Sequence, residues 1–139
     1  MPLLEVKSVS KHFGGVLALN DINLTVREGE IVGLIGPNAA GKTSFFNCVT
    51  GLTRIDKGEM VFREGTVRLN GLPPNKILEA GIARTFQNLR IFKNMSLLEN
   101  VAVGFHSRTK SGLRDALLRT RQMRLEEKMI FEQSMELLR

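Results

Sequence analysis

The 139 residues include no tryptophan, no tyrosine, four prolines and a single cysteine, and no apolar run is long enough to cross a bilayer. Each shortage excludes something. One cysteine rules out an internal disulfide framework and suits a reducing compartment. Cys48 stands among Phe45, Phe46 and Val49, which reads as a small core residue rather than a reactive thiol. Without a long apolar run there is no membrane-spanning helix to expect. The start Met1-Pro-Leu-Leu-Glu5 also lacks the basic stretch and apolar segment of a secretory leader. Phenylalanine is left as the main source of aromatic stacking.

The composition that remains is that of an ordinary globular protein, 42% apolar and 24% charged, with length for one respectable core. The net charge of +6 is compatible with nucleic acid, a membrane surface or polyphosphate ligands. Its densest basic group is Arg114, Arg119, Arg121 and Arg124. It is broken by Asp115, followed by Glu126 and Glu127, and carries no interleaved aromatics. It reads as a solvated helix face, and nothing resembles a nucleic-acid-reading module.

The densest chemical information lies in Gly36-Pro-Asn-Ala-Ala-Gly41-Lys42-Thr43, which fits the phosphate-loop pattern G-x-x-x-x-G-K-S/T. The glycines let successive backbone N–H groups approach phosphate oxygens. Lys42 brings a positive charge to the β- and γ-phosphates, and the Thr43 hydroxyl is suited to Mg²⁺. Context favours this over a chance glycine turn. Ile31-Val-Gly-Leu-Ile35 predicts a buried parallel strand before the loop, and residues 43–50 predict a helix after it, closed by Gly51. That order aims a helix N-terminus at an anion.

Elsewhere, residues 3–9 and 19–26 alternate apolar with polar and predict strands, as do residues 59–62 and 66–69 around the Arg63-Glu-Gly65 turn. Residues 75–80 predict a short helix ended by Gly81, and residues 82–86 a second parallel strand. Ser96 predicts the N-cap of a helix reaching about Val103. From Leu113 to the end the pattern is helical, with Phe131, Met135 and Leu138 forming an ordinary core stripe. With only these two candidates for parallel strands, the sequence is expected to be the front part of a larger α/β domain.

A phosphate loop alone leaves several nucleotide-using families open. Guanine specificity is unsupported, because Asn75-Lys-Ile-Leu78 has leucine where the guanine-reading motif needs aspartate. Three further segments narrow the choice: Lys11-His-Phe-Gly-Gly15, Gly36-Pro-Asn38 and Arg84-Thr-Phe-Gln87. Together with Phe46-Asn-Cys-Val-Thr-Gly51 and Ala83-Arg-Thr-Phe-Gln-Asn-Leu-Arg-Ile-Phe92, they resemble the ATP-binding subunit of ABC transporters, most closely the branched-chain amino acid importer type. An ATPase of another ABC system, such as a lipopolysaccharide exporter, shares parts of the pattern.

The resemblance implies an α/β P-loop NTPase core of RecA-like type, with an N-terminal antiparallel β-subdomain and the start of a helical subdomain. It divides the chain at residues 1–92, the core part with the β-subdomain and phosphate loop, and 93–139, the beginning of the helical part. ATP and Mg²⁺ are the implied cofactors. Phe13 would stack on adenine, the alternative being an aromatic that merely covers the strand layer. Gly36, Pro37, Asn38, Ala39, Ala40, Gly41, Lys42, Thr43 and Ser44 would hold the triphosphate. Gln87 would reach Mg²⁺ or the attacking water with Lys42 and Thr43 nearby, the alternative being an unremarkable strand-end glutamine. The residues after it, 88–95, would dock on a permease. The implied partners are transmembrane permease subunits, a second ATP-binding subunit and, indirectly, a periplasmic or extracellular substrate-binding protein. The implied location is cytoplasmic, peripheral on the inner face of the membrane.

Two departures qualify the resemblance. The family usually has glycine at position 39, where this chain has Ala39, so weakened but not abolished nucleotide binding is expected. These 139 residues also contain no Leu-Ser-Gly-Gly-Gln signature and no apolar run ending in Asp-Glu. His12 and His106 both stand too early to be the family's switch histidine. The residues are therefore expected to be catalytically inactive alone, as a nucleotide-binding fragment.

Overall fold

The computed structural model describes residues 1–86, 91–105 and 121–139. They fall into two compact units, Met1–Arg84 and Thr85–Arg139.

The first unit is built on a long antiparallel hairpin of β1 (Pro2–Phe13) and β2 (Val16–Arg27). Alternating apolar residues send Val6 and Leu19 to one buried face, with Ile22 and Leu24 packed beside them. Val9 is buried on the same side although it lies an odd number of residues from Val6. A bulge explains this. The register slips between Val6 and Val9, Ser8 takes φ 49°, and its N–H donates to Asn23 Oδ1 at 2.8 Å.

β3 (Lys57–Phe62) pairs with the other edge of β1, and β4 (Val67–Arg68) pairs with β3. The result is a four-stranded antiparallel sheet in the order β2-β1-β3-β4. α1 (Lys42–Val49) lays Phe45, Cys48 and Val49 against a core completed by Met60, Phe62 and Leu69. α2 (Pro74–Ala80) opens on a proline, adds Ile77 to that core and stops at Gly81. Each such side chain contributes about 1.5–3 kcal/mol when fully buried. Burial also pushes the Cys48 thiol up from its ordinary pKa, which keeps it protonated and inert.

In the second unit α3 (Leu97–Val103) begins with the expected Ser96 cap, in reciprocal form. Ser96 Oγ accepts from Glu99 N at 3.3 Å, and Ser96 N donates to Glu99 Oε2 at 2.7 Å. The two Ser96 donors hold the Glu99 carboxyl below its usual range. α4 (Arg121–Leu137) packs on α3.

Three expectations are corrected. Residues 31–35 form no strand, and Ile31 and Ile35 stand 99% and 96% exposed. Residues 82–86 form none either. A buried parallel strand exists only when neighbours take up its N–H and C=O groups on both sides, and the sheet among the described residues is wholly antiparallel. Finally, Phe131, Met135 and Leu138 are exposed rather than core. α4 instead turns the line of Met123, Ile130 and Ser134 inward, with Ser134 fully buried. Arg121 and Arg124 are exposed, as a solvated face requires. The expected helical residues 113–120 lie outside the described residues, as do Arg114 and Arg119.

Candidate functional site

The phosphate loop leads straight into α1, and its shape follows from its residue types. Ala40 N donates to Pro37 O at 3.3 Å, closing a four-residue turn over residues 37–40. The third residue of that turn, Ala39, takes φ 66° while Asn38 does not share the positive value. This is the turn pattern that favours glycine at its third position. Alanine there costs about 1 kcal/mol. Replacing Ala39 by glycine is expected to raise stability by about 1 kcal/mol and to tighten Mg-ATP binding several-fold, read by thermal unfolding and calorimetry. An unchanged dissociation constant would mean that the strain is not felt by the ligand.

Gly41 ends the loop as the N-cap residue of α1, with φ 85° and no side-chain cap. Its α-carbon rests against the Ala18 carbonyl of β2, so close that a methyl group would stand 2.4 Å from that oxygen. The first helical hydrogen bond, Phe45 N to Gly41 O at 2.8 Å, comes after the N–H groups of Lys42, Thr43 and Ser44. Those three therefore belong to the first turn, whose donors and dipole attract anions. Lys42 Nζ folds back over the loop and donates to Gly36 O at 2.6 Å and Pro37 O at 2.5 Å. The ammonium is thus held where a phosphate oxygen can replace a carbonyl. The Thr43 and Ser44 hydroxyls stand on the same first turn.

Phe13 closes β1 at the tip of the hairpin, opposite Val16, and its ring is 47% exposed. Val16 lies two residues, about 7 Å, before Ala18 on β2. Because Ala18 touches Gly41, the hairpin tip and the phosphate loop are neighbours within one unit. The segment toward Gln87 is tied to α1 where Arg84 Nη1 donates to Asn47 Oδ1 at 2.7 Å. Gln87 itself lies outside the described residues, together with residues 88–90. Ile91, Phe92 and Met95 are exposed.

Some participants carry no motif. Asp56 accepts from Lys11 Nζ at 2.7 Å and from His12 N at 2.6 Å, and these donors lower its pKa to about 2. Ala18 and Asn47 likewise act through one carbonyl and one amide. Nothing local in the sequence marks any of them.

The chain matches the family model described as "ABC transporter" over residues 19–137. It belongs to the ABC transporter family. Among curated ABC relatives, the high-affinity branched-chain amino acid transport ATP-binding protein LivG of Salmonella typhimurium is 47% identical over 119 residues, covering 86% of this chain and 46% of that protein. The corresponding BraF of Pseudomonas aeruginosa is 41% identical over 131 residues, covering 94% of this chain and 51% of that one. The chain therefore spans about half the length of the curated relatives it matches.

A solved nucleotide-free ATP-binding cassette from an ABC transporter superposes with a TM-score of 0.70 at 30% identity, covering 94% of this chain and 50% of that one. The ADP conformation of another such cassette gives 0.68 at 29% identity, covering 87% and 46%. The α/β P-loop architecture with an antiparallel β-subdomain is thus the ABC cassette fold, and nucleotide binding is the ABC family's property. No helix among the described residues is long and apolar enough to cross a membrane.

Proposed function

We propose that the chain is the nucleotide-binding front portion of an ABC subunit that couples ATP binding and hydrolysis to import of branched-chain amino acids. The observation that carries this reading is Lys42 folded over a glycine-cornered loop at the mouth of α1, which sets an ammonium beside the first-turn N–H groups where an anion would bind. The resemblance to LivG and BraF supports the amino acid class. Residues 36–44 would wrap the phosphates, with Lys42 exchanging a loop carbonyl for a phosphate oxygen. Thr43 would hold Mg²⁺, which would offset the charge of the phosphates, and Gln87 would contribute to holding it or contact the attacking water. Phe13 would stack on adenine. The partners would be transmembrane permease subunits, a second ATP-binding subunit and a substrate-binding protein. The place of action would be the cytoplasmic face of the membrane.

Phosphoryl transfer needs a positioned water and charge stabilisation beyond a bound phosphate. These 139 residues contain neither the signature nor the Asp-Glu pair. In isolation the chain is therefore expected to bind Mg-ATP without releasing phosphate. Lys42→Ala should weaken binding by 10-fold or more, on the order of the 1.5–3 kcal/mol of a charge-assisted hydrogen bond. Calorimetry with phosphate release read on the same sample tests both. Binding indifferent to Lys42→Ala would sink the reading, and Lys42-dependent release would show a catalytic base elsewhere in the chain.

A further inference from the structure

We infer that Asp56 is a positioning residue for Phe13, fixing through Lys11 and His12 the way the hairpin tip presents that ring to a nucleobase; this rests on the nucleotide reading above. Pairing between β1 and β3 ends at Ser10 opposite Lys57. The last three residues of β1, Lys11 to Phe13, therefore run past the end of β3. On the other side, the β1–β2 register is irregular on both sides of Lys11. The sheet alone holds this tip poorly.

Asp56 supplies what the ladder does not. Its N–H donates to Ser10 O at 3.0 Å, which anchors it to β1. One carboxylate oxygen accepts from Lys11 Nζ at 2.7 Å. The other accepts from the His12 backbone N–H at 2.6 Å and lies 3.4 Å from His12 Nδ1. A single short side chain thereby grips the two residues that precede Phe13.

Lys11 completes the link. Its side chain is only 14% exposed, and its ammonium stands 5.4 Å from the centroid of the Phe13 ring. The cation attracts that face of the ring through the quadrupole. With Lys11 held by Asp56, the ring is held from one side, and its exposed surface is left for a base. The depressed carboxyl pKa keeps Asp56 charged, and the grip intact, at neutral pH.

The purified chain, Asp56→Asn, Phe13→Ala and the double variant are titrated with Mg-ATP and with Mg-tripolyphosphate, which has the phosphates but no base. Asp56→Asn is expected to weaken Mg-ATP by about 5-fold or more, the scale of one base–aromatic stack, and to leave tripolyphosphate unchanged. Phe13→Ala should give the same selective loss, and the double variant should lose no more than Phe13→Ala alone. Equal losses for both ligands, an unchanged ATP affinity, or additive losses in the double variant overturn the inference while leaving the phosphate loop's role intact. Failure of the unmodified chain to bind either ligand overturns the nucleotide reading and this inference with it. Should Asp56→Asn unfold at the assay temperature, Lys11→Met reads the same link. It is expected to show the same ATP-selective loss, and its absence overturns the inference.

Discussion

Gly41→Ala is expected to abolish measurable Mg-ATP binding and to lower the melting temperature by on the order of 10 °C. Two costs combine. An L-residue at φ 85° loses about 1–2 kcal/mol to the clash of its β-carbon with its own backbone. The added methyl would also lie 2.4 Å from Ala18 O and 3.1 Å from Leu19 Cδ2. Ala18 lies at the break in register between Lys11–Leu19 and His12–Leu17, so relief requires the loop to leave β2 or that irregular stretch of β2 to shift, at a further cost of about 1–3 kcal/mol. Together they reach about 3 kcal/mol, a large share of the 5–15 kcal/mol that holds a typical domain together. The binding effect follows from the same movement. Gly41 is the N-cap of α1, so displacing it re-aims the N–H groups of Lys42, Thr43 and Ser44 together. Thermal unfolding and calorimetry decide the matter. Near-normal affinity with an unchanged melting temperature would mean that the loop does not lean on the hairpin.

Gly58→Ala is expected to destabilise the chain at least as strongly, by about 3 kcal/mol or more, while sparing the binding chemistry of whatever fraction stays folded. Gly58 takes φ 89° where β3 crosses the bulge in β1. A methyl there would meet Ser8 O at 2.4 Å, Lys7 O at 2.5 Å and Ser8 C at 2.6 Å, all of them backbone. The strand pair is also clipped at this place. Asn70 Nδ2 donates to Gly58 O at 3.0 Å, and Asn70 Oδ1 accepts from Met60 N at 2.8 Å. Moving Gly58 outward breaks that bridge and uncovers Met60, which is fully buried. Gly15→Ala serves as the control, since a methyl there meets nothing within 4 Å. A Gly58→Ala melting curve matching that of Gly15→Ala would show that the β1 bulge is free to shift.

The two substitutions separate two kinds of dependence. On these expectations Gly41 would serve both the ligand and the fold, and Gly58 chiefly the fold. If both lost affinity and stability in the same proportion, the phosphate loop would have no rigidity of its own and would be shaped by the sheet.

What could be read in the sequence is what nearest neighbours along the chain decide. The phosphate loop, the Ser96 cap, the end of α2 at Gly81 and the alternation of β1 and β2 each depend on residues a few places apart. The side chains that satisfy the backbone there are close in sequence, so their spacing is the signal. The burial of Cys48 was legible for the same reason, through its place beside Phe45 and Val49 on one helical face. Tertiary structure alone decided the rest. Residues 31–35 are apolar enough for a parallel strand, but a strand is a relation between segments, and the partners that would make it one are not among the described residues. The apolar stripe of Phe131, Met135 and Leu138 faces outward, because amphipathicity names a preferred side only once a neighbour exists to cover it. The bulge at Ser8, which carries Val9 onto the same face as Val6, and the grip of Asp56 on Lys11, 45 residues away in the chain, left no local mark. Contacts of that span are set by which surfaces meet on folding, and no residue type announces them in advance.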